Sequence, residues 1–163
     1  MTSDPPPESS LELRPAEPHE AAAIAGIVRA AYARWVPAIG REPLPMRVDY
    51  DKALTEHRFD VVADGDRIVG VIETMQRDDH IWIENVAVAP DAQGSGIGRR
   101  LLDHAERLAR AAGRFEARLL TNAAFAANVA LYRRLGYAVD REEEFLNGIT
   151  VYMSKRLSPF PGS

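Results

Sequence analysis

Three glycines fall within five residues in Gln93-Gly94-Ser95-Gly96-Ile97-Gly98-Arg99-Arg100, directly ahead of what reads as an amphipathic helix. Glycine at a helix entry costs conformational entropy, so a cluster asks for positive φ or a ligand lying against bare main chain. A helix N-terminus offers free N–H groups and about half a positive charge, which suits a phosphate. Arg99 and Arg100 run against the dipole's preference for acids in the first turn, and a strong bound anion would neutralise them. The plainer reading is a tight strand-to-helix connection beneath solvated arginines, and on these residues alone both readings stand. Two familiar phosphate motifs fail on spacing. A dinucleotide fingerprint needs G-x-G-x-x-G near the first strand, and a P-loop needs G-x-x-x-x-G-K-[ST]. Here the pattern is G-x-G-x-G followed by Arg-Arg.

Other residues could move protons. Asn128 and Tyr132 lie one helical turn apart and share a face, although Tyr132 beside Phe125, Leu131 and Leu135 also reads as a packing aromatic. Strand parity over His80–Val88 puts His80, Trp82, Glu84, Val86 and Val88 on one face and Ile81 and Ile83 on the other, unless a bulge intervenes. Glu84 is then a candidate base, weighed against a solvated or packed carboxylate, and His80 a weaker one. His19, His57 and His104 carry no assigned role, and no His/Asp/Glu spacing suggests a metal site. With no cysteine, disulfides, thiolate metal sites and a Cys nucleophile are excluded.

The elements that must position these groups follow from periodicity. Leu11 to Arg14 reads as a strand, and Glu17 to Trp35, with Ile24, Ile27, Val28 and Ala31 at helical spacing, as a helix. A loop with three prolines follows, then a short helix toward His57. Phe59–Ala63 and Arg67–Thr74 flank the hairpin signal Asp64-Gly65, and His80–Val88 is a third consecutive strand. A helix with Ile97, Leu101, Leu102, Ala105, Leu108 and Ala109 on one face closes at Gly113. Then come a strand over 115–121, a helix from Phe125 to Leu135 and a strand pair over 137–141 and 149–157. The order predicts an α/β fold with a mixed sheet, without regular βαβ alternation.

At 163 residues and 46% hydrophobic the chain supports one domain, expected at 11–157 between Pro/Ser-rich tails at 1–10 and 158–163. Twenty basic against 24 acidic residues, net −4, give no blanket attraction for nucleic acid or an anionic membrane. The acidic, Pro-rich start is unlike a signal peptide, and no 18-residue apolar run exists to span a membrane. A cytoplasmic location fits, and the Arg-rich, Ala-rich usage is of a bacterial kind. A homodimer is compatible with all of this.

The stretch "NVAVAPDAQGSGIGRRLL" resembles the pattern of the GNAT superfamily of acyl-CoA-dependent N-acyltransferases: a strand ending in a V-x-P-like turn, then Q/R-x-x-G-x-G/A, with Gln93, Gly96 and Gly98 at the signature positions. "NVALYRRLGY", Asn128 to Tyr137, resembles the family's later helix, with Asn and Tyr ahead of a Leu-Gly-aromatic ending. The two motifs stand in the right order with a strand between them, and the resemblance covers about 11–157.

The resemblance implies a mostly antiparallel central sheet with a splayed strand pair and flanking helices, and acetyl-CoA as co-substrate without a metal. Backbone amides of Gln93, Gly94, Ser95, Gly96, Ile97, Gly98, Arg99 and Arg100 would hold the pyrophosphate. The pantetheine arm would pair with the main chain of Val86, Ala87 and Val88, with an N–H near Val88 polarising the thioester, and Asn128 would lie beside it. Asn85, a poor strand former, marks the expected bulge. The implied reaction is acetyl transfer to an amine, expected to be that of a small molecule, by direct attack in a ternary complex. Tyr132 becomes the general acid for the departing thiolate. Where the family often carries a carboxylate or Tyr on this strand the chain has Trp82, so Glu84 is taken as the base, acting through water. Acceptor recognition in the family comes from the region after the first strand, here Tyr32, Trp35, Met46, Asp49 and Tyr50. Protein acetylation and non-catalytic acyl-CoA sensing are the competing functions.

Overall fold

The computed structural model describes residues 11–159; the tail expected at 1–10 and residues 160–163 of the second tail lie outside the described residues. The strands are β1 (Leu11–Pro15), β2 (Arg58–Asp64), β3 (Arg67–Gln76), β4 (Ile81–Val88), β5 (Glu116–Asn122), β6 (Ala138–Phe145) and β7 (Gly148–Arg156). The helices are α1 (Ala21–Tyr32), α2 (Val36–Ile39), α3 (Tyr50–Glu56), α4 (Ile97–Ala111) and α5 (Ala126–Arg134). One sheet runs β1-β2-β3-β4-β5-β7-β6, antiparallel throughout except for the β4–β5 pair. The fold is thus the expected mixed, mostly antiparallel α/β arrangement.

Helices cover both faces. Along β3, Val71 packs with Ile24, Val28 and Tyr32 of α1, whereas Ile72 packs with Leu101, Leu102 and Ala105 of α4, as strand alternation requires. The first turn of α4 sits hard against the sheet because β3 carries Gly70: a Cβ there would come 2.7 Å from Ile97 Cγ2 and 3.1 Å from Leu101 Cδ1. Behind α4, the buried Glu106 accepts from Tyr137 Oη at 3.1 Å and Lys155 Nζ at 2.9 Å. Tyr137, the aromatic that closes the second motif, thus ties α4 to the start of β6, and Lys155 ties it to β7.

Most strands shift by a residue or two from their expected bounds, and α2 forms within the expected loop; two further differences bear on the site. The first helix comes out as α1 flanked by 3-10 turns at Pro18–Glu20 and Ala33–Trp35. β6 runs on through Glu142, Glu143 and Glu144, poor strand formers held by pairing with Val151, Thr150 and Ile149 of β7. Leu146 and Asn147, with φ of 49° and 62°, make the tight hairpin turn. Among the described residues no helix is long and apolar enough to cross a membrane.

Candidate active site

β4 and β5 pair only at Ile81↔Ala117, Trp82↔Arg118 and Ile83↔Leu119. Past that point β5 follows β7 and β4 follows β3, so the sheet opens between Glu84–Val88 and Leu120–Asn122. One main-chain edge of β4 is left without a strand partner. A bulge in β4 lies at the divergence: Glu73 faces Asn85 while Thr74 faces Ile83, so Glu84 is the extra residue. The bulge thus lies at Glu84, one residue before the expected Asn85. Beyond the bulge the faces exchange. Val86 and Val88 pack with Ile81 and Ile83 on the α4 side, while Ala87 packs toward α1. The expected grouping of Glu84 with Val86 and Val88 is therefore corrected.

Asn85, the first residue past the bulge, turns into the interior. It accepts from Tyr32 Oη at 2.9 Å and donates to Tyr50 Oη at 3.3 Å, and Tyr50 donates in turn to the Pro45 carbonyl at 2.7 Å. This buried chain ties α1, α3 and the Pro-rich loop to the bulge. Burial pushes the Tyr32 and Tyr50 hydroxyls well above their ordinary value, so both stay neutral bonding groups.

A groove of about 340 Å³ lies over the N-terminus of α4, lined by Val86, Ala87, Val88, Gln93, Gly94, Gly96, Ile97, Gly98 and Arg99 and, from α5, Asn128, Leu131 and Tyr132. Gly94 and Gly96 have φ of 82° and 86°, the left-handed region where L side chains are strained. Among the described residues the amides of Gly94 through Arg99 have no backbone partner and no side chain caps the helix. The groove is therefore a row of unused donors at the positive end of a 15-residue helix, with Arg34, Arg99 and Arg134 around it. Those donors suit a pyrophosphate. Gln93's side chain donates to the Val88 carbonyl at 3.2 Å, pinning the turn to the end of β4.

A second cavity of about 290 Å³ lies on the other side of the opening in the sheet. Its wall combines Ile39, Arg41, Pro43 and Leu44 from the Pro-rich loop with Glu84, Asn85, Thr121, Phe125, Phe145 and Tyr152. Tyr32, Val86 and Tyr132 line both cavities, so the two spaces meet at these three residues. Tyr132 is buried at 6% exposure, and burial pushes its hydroxyl up to about 12. Among the described residues no hydrogen bond engages that hydroxyl, which leaves its proton available for donation at the junction. Glu84 is exposed into the second cavity, and its Oε2 accepts from Trp82 Nε1 at 2.6 Å. The arrangement can therefore offer a neutral phenol at the place where two ligand spaces touch and a carboxylate on the wall of the second.

Several expected site residues lie elsewhere. Arg100 turns away from the groove and donates to the Leu11 carbonyl at 3.3 Å, and Ser95 Oγ donates to the Ala92 carbonyl. Of the five expected acceptor residues only Tyr32 lines the second cavity. Trp35 stacks on Phe125 at 5.1 Å between ring centroids and lines the α4 groove instead, with the Arg34 guanidinium 4.4 Å over its ring. Met46 packs on the α1 cluster, and Asp49 caps α3 by accepting from the Lys52 amide at 3.3 Å. Tyr50 stands one layer behind the wall, in the Asn85 network. His80 pairs with Asp79 at 2.6 Å and lines neither cavity.

Residues the sequence reading missed include Arg34 and Arg134 in the groove and Arg41, Glu143, Glu144, Phe145 and Tyr152 in the second cavity. Arg134 was reachable by extending the Asn128/Tyr132 face at helical spacing through Leu131. The β6 and β7 residues had no local signal, because nothing in their own segment says that β7 borders β5.

The profile of the Acetyltransferase (GNAT) family matches residues 25–137. A curated relative, the IAA acetyltransferase of Azospirillum brasilense, is 45% identical over 56 residues, which is 34% of this chain and 37% of that protein. The chain thus spans little more than a third of that relative's length. Among solved structures, PaiA N-acetyltransferase from Thermoplasma acidophilum in complex with coenzyme A superposes with a TM-score of 0.79 at 17% identity, over 90% of this chain and 98% of that one. The ribosomal-protein-S18-alanine N-acetyltransferase from Escherichia coli superposes with a TM-score of 0.74 at 21% identity, over 91% and 94% of the two chains. At these identities the likeness is one of fold.

Proposed function

Since the chain belongs to the acetyltransferase (GNAT) family, we propose that it transfers an acetyl group from acetyl-CoA to the amine of a small molecule in one ternary complex. The observation that carries this reading is the meeting of two cavities at Tyr32, Val86 and Tyr132, one walled by unused amides and arginines and the other by apolar side chains and carboxylates.

The amides of Gly94 through Arg99 hold the pyrophosphate of the co-substrate, and the open edge of β4 offers main-chain partners for its pantetheine arm. The acceptor nitrogen forms a bond to the thioester carbonyl carbon while the C–S bond breaks, giving an amide and the thiol. An alkylamine with a pKa near 10.4 is neutral in only about one molecule per thousand at pH 7, so a base matters. Glu84 takes that proton through water, held in place by the Trp82 indole. Tyr132 gives its proton to the thiolate, whose own pKa of about 8.5 makes modest help sufficient. The second cavity, at about 290 Å³, suits a small acceptor better than a peptide segment.

Incubating the purified protein with acetyl-CoA and panels of alkylamines, aminoglycosides, amino acids and peptides, with thiol release as the readout, tests the reading. Turnover confined to small amines is the expected result. Turnover of peptides alone makes it a protein acetyltransferase, and acetyl-CoA binding with no acceptor turned over makes it a sensor.

A further inference from the structure

Arg41 is a cation without a counter-ion in an otherwise apolar part of the second cavity. Gly40, at φ 71°, ends α2 and turns the chain so that Arg41 lines the wall beside Ile39, Pro43 and Leu44. Its Nη1 donates only to the neighbouring Glu42 carbonyl at 3.3 Å, and its Nε is buried with no partner. Among the described residues no carboxylate comes within the 4.0 Å of an ion pair, although Glu84, Glu143 and Glu144 line the same cavity. Glu143 is already engaged by Arg141 at 2.9 Å, and all three carboxylates are exposed. The planar guanidinium fork matches a carboxylate, and apolar walls strengthen such a pair by lowering the local dielectric.

We propose that the acceptor carries a carboxylate as well as its amine, with an apolar body between them, and that Arg41 is the residue that holds the carboxylate. This rests on the small-molecule acetyltransferase reading above. The amine end must reach the junction at Tyr32, Val86 and Tyr132, which line both cavities, with Glu84 on the wall of the second. Arg41 lies on a separate part of the wall, in the loop after α2, so the cavity offers opposite charges to the two ends of one molecule. Ile39, Leu44 and Phe125 line the cavity with them. The class is therefore an amino carboxylate, as in apolar α-amino acids or chains with the amine at the far end.

The test compares matched pairs of acceptors that differ only in a carboxylate or a neutral carboxamide, with phenylalanine, leucine and ω-amino acids of increasing length as the bodies and diamines as the cationic control. For at least one body the full-length protein should prefer the carboxylate form by tenfold or more in kcat/KM. In Arg41→Gln that preference should fall to within about twofold, through a rise in KM for the carboxylate form, with Arg41→Lys between the two. Acetyl-CoA affinity by calorimetry and the melting temperature of each variant check that folding is intact. Equal use of both forms, preference for diamines, or an Arg41→Gln loss equal for both forms and seated in kcat would overturn the assignment while leaving the acetyltransferase reading standing. Turnover of no amine at all would overturn both.

Discussion

The indole Nε1 of Trp82 donates to Glu84 Oε2 at 2.6 Å, two residues along β4 at the bulge that opens the sheet. A carboxylate on an exposed bulge would otherwise sample many rotamers, so the indole supplies orientation. Replacing Glu84 with Gln should lower kcat/KM for an alkylamine at neutral pH by about a hundredfold, the scale of a lost general base. A weakly basic aromatic amine, already neutral, should lose far less. Trp82→Phe should lose less than Glu84→Gln but show the same selectivity between amines. Equal losses for both amines in steady-state kinetics would remove Glu84 from the proton path.

Tyr132→Phe should lower kcat by roughly ten- to a thousandfold while acetyl-CoA affinity barely moves, since a proton donor to the leaving thiolate acts only in the transition state. Single-turnover measurement separates this from product release. An unchanged chemical step would make Tyr132 a packing residue.

The same burial has a consequence for stability. Tyr132 is held at about 12 against an ordinary value near 10, and burial raises Tyr32, Tyr50 and Tyr137 as well. The folded state therefore keeps these protons where the unfolded chain releases them. The Tyr132 contribution is fully present below pH 10 and is lost as pH rises from about 10 toward 12, and that of the other three, raised further, is lost from pH 10 upward over a wider window. The melting temperature should fall across that window, less steeply in Tyr132→Phe, and tyrosinate absorbance from these groups should appear together with unfolding. Tyrosinate formation near pH 10 in a fully folded protein would contradict their burial.

Gly98 separates binding from folding. Its φ is not in the left-handed region, and an added Cβ would meet only Leu131 Cδ2 at 3.5 Å and Val88 Cγ2 at 3.8 Å, both ordinary contacts. Glu in the first turn of α4 also suits the helix dipole. Gly98→Glu should therefore melt at or near the native temperature yet bind acetyl-CoA at least tenfold more weakly, because its side chain enters the groove with a negative charge. Calorimetry on the folded variant checks this, and native affinity would move the pyrophosphate elsewhere.

Asn85→Leu should cost about 2 kcal/mol, because the buried Tyr32 hydroxyl loses its acceptor and Tyr50 keeps only its bond to Pro45. For a chain of this size that lowers the melting temperature by about 4–8 °C. The acceptor's KM should rise too, since the loop carrying Pro43 and Pro45 is anchored through this network. An unchanged melting curve would mean that the network contributes nothing net.

The groove over the N-terminus of α4, proposed for the co-substrate, was legible in the sequence because its determinants are local. Gly94, Gly96 and Gly98 and the helix they open occupy one contiguous stretch, and positive φ with unpaired amides is a property of that stretch alone. Tyr132 and Asn128 were legible for the same reason, as neighbours on one helical turn. The second cavity was not, because it is assembled from side chains on segments scattered along the chain, among them the loop after α2 and β6 and β7 at the far end. Which of them meet depends on the sheet order β5-β7-β6 and on where β4 parts from β5. The one residue that a bulge adds exchanges every side chain beyond it between faces, because the strand repeat is two residues. Only the pairing of β3 with β4 decides that placement, and with it that Asn85 points into the core and Val86 into the junction.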